Sequence, residues 1–203
     1  CGIVGYVGTG GATEFLLEGL RRLEYRGYDS AGIGAIGADG AIAVTKAVGR
    51  IDSLAQALGP TPVDGSIGIG HTRWATHGPA TQANAHPHLD NANDIAVVHN
   101  GVIENFRQLR ERLEELGHTF SSATDSEVIV QLISRCLHEL DQSNVNDSDP
   151  GQRHNVLLQA VMDALAQLQG TYGLVVLFRD HPDVMVAARL GSPLVVGIGS
   201  NEH

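Results

Sequence analysis

Apolar residues fall in short clusters along the chain, and their spacing switches between the two-residue period of a strand and the 3.6-residue period of a helix. Ile3, Val4, Tyr6 and Val7 form a run of strand formers interrupted by glycines, which predicts a buried strand at the very start. Phe15, Leu16, Gly19, Leu20 and Leu23 then recur at helical spacing, with Glu14, Glu18, Arg21 and Arg22 on the other face. The intervening Gly8-Thr9-Gly10-Gly11 lacks both a P-loop ending and a dinucleotide-binding glycine frame, so it reads as a plain strand-to-helix turn. Residues 31–37 and 41–47 read as strands joined at Asp39-Gly40. A short helix through Ile51, Leu54 and Leu58 stops at Gly59-Pro60, and 67–71 is another strand.

From 72 to 93 there is no periodicity. A loop of that length inside a compact domain points to function, and it holds Arg73, Trp74, His77, His86 and His88. Residues 95–98 read as a strand running into Asn100-Gly101. Helices follow over 104–116, ended by Gly117, and over 125–140, where Val128, Ile129, Leu132, Ile133 and Cys136 share the apolar side. Cys136 there reads as a small core residue. Residues 141–155 are rich in Asp, Asn, Ser, Gly and Pro and read as a mobile surface insertion. A third helix runs through Val156, Leu157, Val161, Leu165 and Leu168, and 172–178, 184–188 and 194–198 read as an antiparallel run of strands. Strands and helices come in groups instead of strict alternation, which predicts α+β layers and not a doubly wound parallel sheet.

Composition narrows the function classes. A chain of 203 residues suits a single domain, and 42% hydrophobic with 18% charged residues is an ordinary globular mix. The net charge of -10 argues against nucleic acid or an anionic membrane as partner. No apolar run approaches the ~18 residues of a membrane span. Two cysteines and no secretory signal argue against a disulfide framework and for the reducing cytoplasm.

The candidate chemistry begins at residue 1. A cysteine there carries a thiol and a free α-amine together. The thiolate is the nucleophile, and an α-amine titrating at about 7.7–8.0 can serve as its base. A cysteine left by cloning is the alternative. Arg73 offers a planar fork that matches a carboxylate, or else a surface ion pair. Asn100-Gly101 is a hairpin signal, and the same turn would expose an amide and an N–H that can donate to one oxyanion. Thr124-Asp125-Ser126-Glu127 reads as a helix cap, with Asp125 also placed to pair with a substrate ammonium. Five of the ten histidines fall between His71 and His99, but no CxxC or HExxH frame accompanies them, so no metal is expected.

Together these segments resemble a known family. Cys1-Gly2-Ile3-Val4-Gly5, the run from Arg21 to Gly32, His71-Thr72-Arg73-Trp74-Ala75-Thr76-His77-Gly78, Asn84-Ala85-His86-Pro87-His88, Val98-His99-Asn100-Gly101, Thr124-Asp125-Ser126-Glu127 and Gly170-Thr171-Tyr172-Gly173 occur in order over nearly the whole chain. They are similar to the class II, N-terminal-nucleophile glutamine amidotransferases, and within these to the glutaminase domains of glucosamine-6-phosphate synthases. Amidophosphoribosyltransferase and asparagine synthetase would share the cysteine and the Asn-Gly pair without so full a match to Arg-Trp-Ala-Thr-His-Gly.

The resemblance implies a four-layer αββα sandwich and a thioester mechanism without cofactor. On it, Cys1 attacks the side-chain amide of L-glutamine, and Asn100 and Gly101 form the oxyanion hole. Arg73 holds the substrate carboxylate and Asp125 its ammonium. Thr76 and His77 line a mobile loop, Trp74 sits where ammonia leaves, and Arg26 supports the Cys1 end. It also implies that 1–203 is one glutaminase domain lacking its closing strands. Its partners would be the isomerase domains of a longer, homo-oligomeric cytoplasmic chain that makes glucosamine 6-phosphate from fructose 6-phosphate. The 141–155 stretch is longer and more polar than that family leads one to expect. A silent glutamine sensor and a zinc module on the histidine-rich loop are the rivals from other classes.

Overall fold

A computed structural model of the protein describes residues 1–60, 62, 65–142 and 150–203. The elements run β1 (Gly2–Val7), α1 (Ala12–Leu23), a 3-10 turn (Glu24–Arg26), β2 (Ser30–Ile36), β3 (Ile42–Val48), α2 (Ile51–Leu58), β4 (Ile67–Arg73) and β5 (His88–Leu89). They continue through β6 (Ile95–Ile103), α3 (Phe106–Glu115), α4 (Ser126–Gln142), α5 (Pro150–Leu165), β7 (Gly170–Phe178) and β8 (Met185–Leu190). The strands make two four-stranded antiparallel sheets, in the orders β1-β4-β2-β3 and β5-β6-β7-β8.

Three apolar clusters set the layers. Leu16, Leu20, Ile33 and Leu54 seat α1 and α2 on the outer face of the first sheet. Ile129, Ile133, Leu157 and Val161 seat α4 and α5 on the outer face of the second. Ile67, Ile69, Ala96, Val98, Val175 and Leu177 fill the space between the sheets. The two-residue period is visible in β6: Val97 points to the helices, whereas Ala96 and Val98 point to the other sheet. Both faces are covered, so the strand reads as a continuous apolar run instead of an alternating one. This is the αββα sandwich that the resemblance implies. Truncating a fully buried leucine such as Leu16 or Leu20 costs on the order of 2–5 kcal/mol.

Four local expectations are corrected. Asn100 and Gly101 do not form a turn; they lie inside β6, opposite Gly173 and Tyr172 of β7. The Asn-Gly signal is local, and nine residues of pairing with β7 outweigh it. Residues 194–198 form no strand: Leu194, Val195, Val196 and Ile198 are exposed. The chain instead crosses toward β1, where the amide of His203 donates to the carbonyl of Val7 over 2.8 Å. The 72–93 segment is not all loop, since Arg73 ends β4 and His88–Leu89 pairs with β6. Finally, residues 150–155 begin α5 and 141–142 end α4; the remainder of the expected insertion lies outside the described residues. Among the described residues no helix is long and apolar enough to cross a membrane.

Candidate active site

The antiparallel pairing of β1 with β4 sets Gly2 opposite Thr72, which brings Cys1 beside the end of β4. There the amide N–H of Trp74 donates to Cys1 Sγ over 3.2 Å. The Cys1 amine donates to the Arg26 carbonyl over 2.5 Å. Arg26 therefore meets Cys1 through its backbone, while its guanidinium Nε turns to the Tyr25 hydroxyl at 3.1 Å. Gly27 permits this convergence, because a Cβ there would lie 2.7 Å from the Arg73 carbonyl carbon and 3.0 Å from the Trp74 nitrogen. The Cys1 amine is half-buried, and desolvation pulls its pKa below the usual 8.0; Arg26 adds to the fall and Asp29 opposes it. A terminal amine so placed is a stronger candidate for a neutral base at physiological pH.

Arg73 is buried, and its guanidinium donates to the carbonyls of Pro79 (3.2 Å), Gly78 (3.1 Å) and His77. Asp29 Oδ1 faces it at 3.6 Å, and Asp29 Oδ2 accepts the Ala75 amide. The cation thus gathers segment 74–79 over Cys1. Asn84 fastens the same segment from below, donating to the Pro79 carbonyl (2.9 Å) and accepting from Ala123 N–H (2.9 Å).

Asp125 is also buried. Its Oδ2 accepts the Ile103 amide at 2.8 Å, and its Oδ1 lies 3.8 Å from His77 Nδ1. The expected cap is present beside it, with Glu127 N–H donating to Thr124 Oγ1 at 3.3 Å. Glu127 does not complete a reciprocal box. Its carboxylate accepts instead from the backbone and hydroxyls of Ser121 and Ser122, at 2.6–2.8 Å. The cap and an inward-facing Asp125 therefore coexist.

Cys1, Arg73, Trp74, Thr76, His77, Gly101 and Asp125 line one cavity, with Thr124, Ser126, His86 and His99 completing the wall. The cavity measures ≈ 20 Å³, room for about one water molecule. Three larger clefts, of ≈ 340, 350 and 450 Å³, include none of those seven residues. Trp74 stands half-exposed at the rim with its ring edge-on to Tyr28 at 5.4 Å. Asn100 is set back from the cavity, its Oδ1 2.8 Å from His71 Nε2. Gly101 has φ +132°, where an added Cβ would sit 2.1 Å from the Thr171 carbonyl oxygen, so only glycine fits.

His71, His86, His88 and His99 are buried rings held in the neutral form. Desolvation lowers His71 to about 3 and holds His86 and His88 well below the usual 6.5; it also lowers His99, against the pull of Asp125. His71 stacks on His86 at 4.0 Å, His86 Nδ1 accepts the His99 amide at 3.2 Å, His88 Nε2 meets Thr124 Oγ1 at 3.1 Å, and His99 Nδ1 meets Ser126 Oγ at 2.8 Å. Among the described residues no group of three or more His, Cys, Asp or Glu is arranged to hold a metal ion. Sequence reading assigned no part to Asp29, His71, Asn84, His99 or Ser126. All five lie within the segments that carry the resemblance, which was the available signal.

Residues 59–144 match a protein-family model described as a glutamine amidotransferase domain. The whole chain is 50% identical to 31% of the length of the isomerising glutamine–fructose-6-phosphate aminotransferase of Zymomonas mobilis. It is likewise 50% identical to 31% of the Thermus thermophilus protein of the same name. The chain carries a glutamine amidotransferase domain. The solved structure of glutamine phosphoribosylpyrophosphate amidotransferase from B. subtilis superposes on 93% of this chain, using 37% of its own length, with a TM-score of 0.71 and 28% identity. A class II glutamine aminotransferase domain protein from Silicibacter pomeroyi shares the fold at 18% identity, over 96% of this chain and 79% of its own, with a TM-score of 0.50. The chain spans about a third of the length of the curated relatives it matches.

Proposed function

We propose that the domain hydrolyses L-glutamine to L-glutamate and ammonia through a γ-glutamyl thioester on Cys1. One observation carries the reading: a cysteine with a desolvated amine shares a single cavity with a buried guanidinium and a buried carboxylate. Arg73 would take the substrate carboxylate and Asp125 its ammonium, so glutamine's head is fixed by both its charges and its neutral amide meets the thiol.

The Cys1 amine takes the thiol proton, and Sγ bonds to the side-chain carbonyl carbon. The oxygen becomes an oxyanion, stabilised by Asn100 and by the Gly101 N–H. The C–N bond then breaks, the amine's proton passes to the leaving nitrogen, and ammonia departs past Trp74. Water adds to the thioester, the C–S bond breaks, and glutamate leaves with the thiol restored. No cofactor takes part. A cavity of ≈ 20 Å³ does not admit an amino acid. Segment 74–79, with Thr76 and His77, therefore lifts as Arg73 exchanges loop carbonyls for the substrate carboxylate. Arg26 supports the Cys1 end through its carbonyl.

We further infer that residues 1–203 belong to one glutaminase domain of a longer, homo-oligomeric cytoplasmic protein. Isomerase domains of the same chain would use the ammonia to convert fructose 6-phosphate to glucosamine 6-phosphate. The support is the 50% identity to proteins named for that aminotransferase, against 28% for the phosphoribosylpyrophosphate enzyme.

The test is glutamate release by the protein and by its Cys1→Ala variant. Release that depends on Cys1 is expected; undiminished release by the variant overturns the reading. A glutamine-like electrophile should add its mass to Cys1, and a protein that binds glutamine without forming that adduct would be a sensor instead.

A further inference from the structure

The two halves of the proposed chemistry sit on different sheets. Cys1 precedes β1 in the first sheet, and Asn100 and Gly101 belong to β6 in the second. An apolar cluster fills the space between the sheets, and packing there helps set how far the nucleophile stands from the oxyanion donors. One polar contact crosses this gap next to the site: His71 of β4, paired opposite Ile3 of β1, reaches Asn100 with Nε2–Oδ1 at 2.8 Å. His71 is completely buried and lies outside the cavity lining, so it does not meet the substrate.

We propose that His71 is the positioning residue of the oxyanion hole: its Nε2–H donates to Asn100 Oδ1 and thereby turns the Asn100 Nδ2 group toward the substrate carbonyl. This rests on the glutaminase reading above and names a further part of the same site. An amide offers one acceptor and two donors on opposite sides of one plane. Engaging the oxygen fixes which side faces Cys1. The alternative flip would present a carbonyl oxygen to a developing oxyanion, which repels it. Only the Nε2–H tautomer can hold the required flip, because Asn100 Oδ1 has no hydrogen to give. His71 Nδ1 is buried without a well-formed hydrogen bond, and the His99 backbone acts on the ring less strongly than Asn100 does, so the Asn100 contact is the ring's principal polar one. The ring is further fixed by stacking on His86 at 4.0 Å with an interplanar angle of 23°. Burial keeps it uncharged, since its pKa falls to about 3. The ring therefore stays neutral across the pH range in which the Cys1 amine works, and the proton count at the Asn100 contact does not change there.

The experiment compares His71→Gln with His71→Met in glutamate release. The two replacements have nearly the same length and volume, but only glutamine keeps a donor in reach of Asn100. His71→Gln should retain kcat within about threefold, and His71→Met should lose roughly tenfold to a hundredfold in kcat with KM unchanged, less than the full loss of one donor. In an Asn100→Ala background the two replacements should become indistinguishable. Equal kcat for the Gln and Met variants overturns the proposal, as does a difference that persists without the Asn100 amide. Each variant is assayed well below its own melting midpoint, so that a folding loss is not read as a catalytic one. A second measurement needs no variant: nitrogen NMR of the histidine-labelled wild-type protein should show His71 as the Nε2–H tautomer, and an Nδ1–H tautomer overturns the proposal. If wild-type release proves independent of Cys1, the glutaminase reading itself fails; the tautomer measurement still decides the contact.

Discussion

Trp74 N–H donates to Cys1 Sγ over 3.2 Å, and Gly27 is what lets the two approach. A methyl group at Gly27 would meet the Arg73–Trp74 peptide at 2.7–3.0 Å, in backbone that cannot rotate away. Gly27→Ala should therefore displace Trp74 from Cys1 and reduce glutamate release at least tenfold. Its melting point should fall only modestly, because Gly27 lies outside the three apolar cores. Kinetics and a thermal melt on one preparation check this; full activity would show that the peptide can shift without cost.

The two cysteines should differ sharply toward alkylating agents. Burial pushes the Cys136 thiol up to about 11, with Glu139 and Asp163 adding to the rise, so it stays protonated and covered at neutral pH. Iodoacetamide at neutral pH should modify Cys1 in the native protein and reach Cys136 only after denaturation. Peptide mass mapping reads the outcome.

Activity should fall on the acid side as the Cys1 amine takes up a proton. That amine is lowered from 8.0 by desolvation, so the acid limb lies below 8.0. Retaining a formyl or methionyl group ahead of Cys1 removes the base and should abolish release at every pH. Intact mass together with a pH–rate profile tests both.

Arg73→Ala should raise KM for glutamine and also free segment 74–79, whose carbonyls at 77–79 the guanidinium gathers. Arg73→Lys should recover little, because a point charge cannot reproduce the fork toward three carbonyls or a carboxylate. The measurement is KM for glutamine, with protease cleavage within 74–79 as a readout of the loop. An unchanged KM in Arg73→Ala would remove Arg73 from substrate binding.

The buried histidines make stability depend on pH with a definite sign. His71, His86, His88 and His99 are lowered in the fold, so below pH 6.5 the unfolded chain binds more protons than the native one. Their contribution is fully present above about pH 6.5 and is lost as the pH falls. Each such histidine costs about 1.4 kcal/mol per pH unit below that point. The melting temperature should drop steeply between pH 7 and pH 5, and replacing His88 by glutamine should flatten the slope. A melting temperature independent of pH over that interval would contradict the assignment.

What the linear chain pointed to is most of the elements and the candidate reacting groups. The apolar patterns placed α1, α2, β2, β3 and β4 to within about two residues: the helices through their apolar stripe, and β2 and β4 as continuous runs of small and apolar residues buried on both faces. Cys1, Arg73 and Asp125 were recognisable from residue type and motif, since thiol, guanidinium and carboxylate chemistry does not depend on the fold. Tertiary pairing decided the rest. Asn100-Gly101 carries a turn signal, but β7 offers partners on both sides of it and draws it into β6. Residues 194–198 are rich in strand formers yet form no strand and pair with none of the eight described. Asp29, Asn84 and His71 acquire their contacts from residues 39 to 46 positions away or from the opposite sheet, and a local pattern holds no record of such distances. The physical reason is that propensity and periodicity act over one turn or one strand, whereas the site exists only where two sheets, each correct by itself, are pressed face to face.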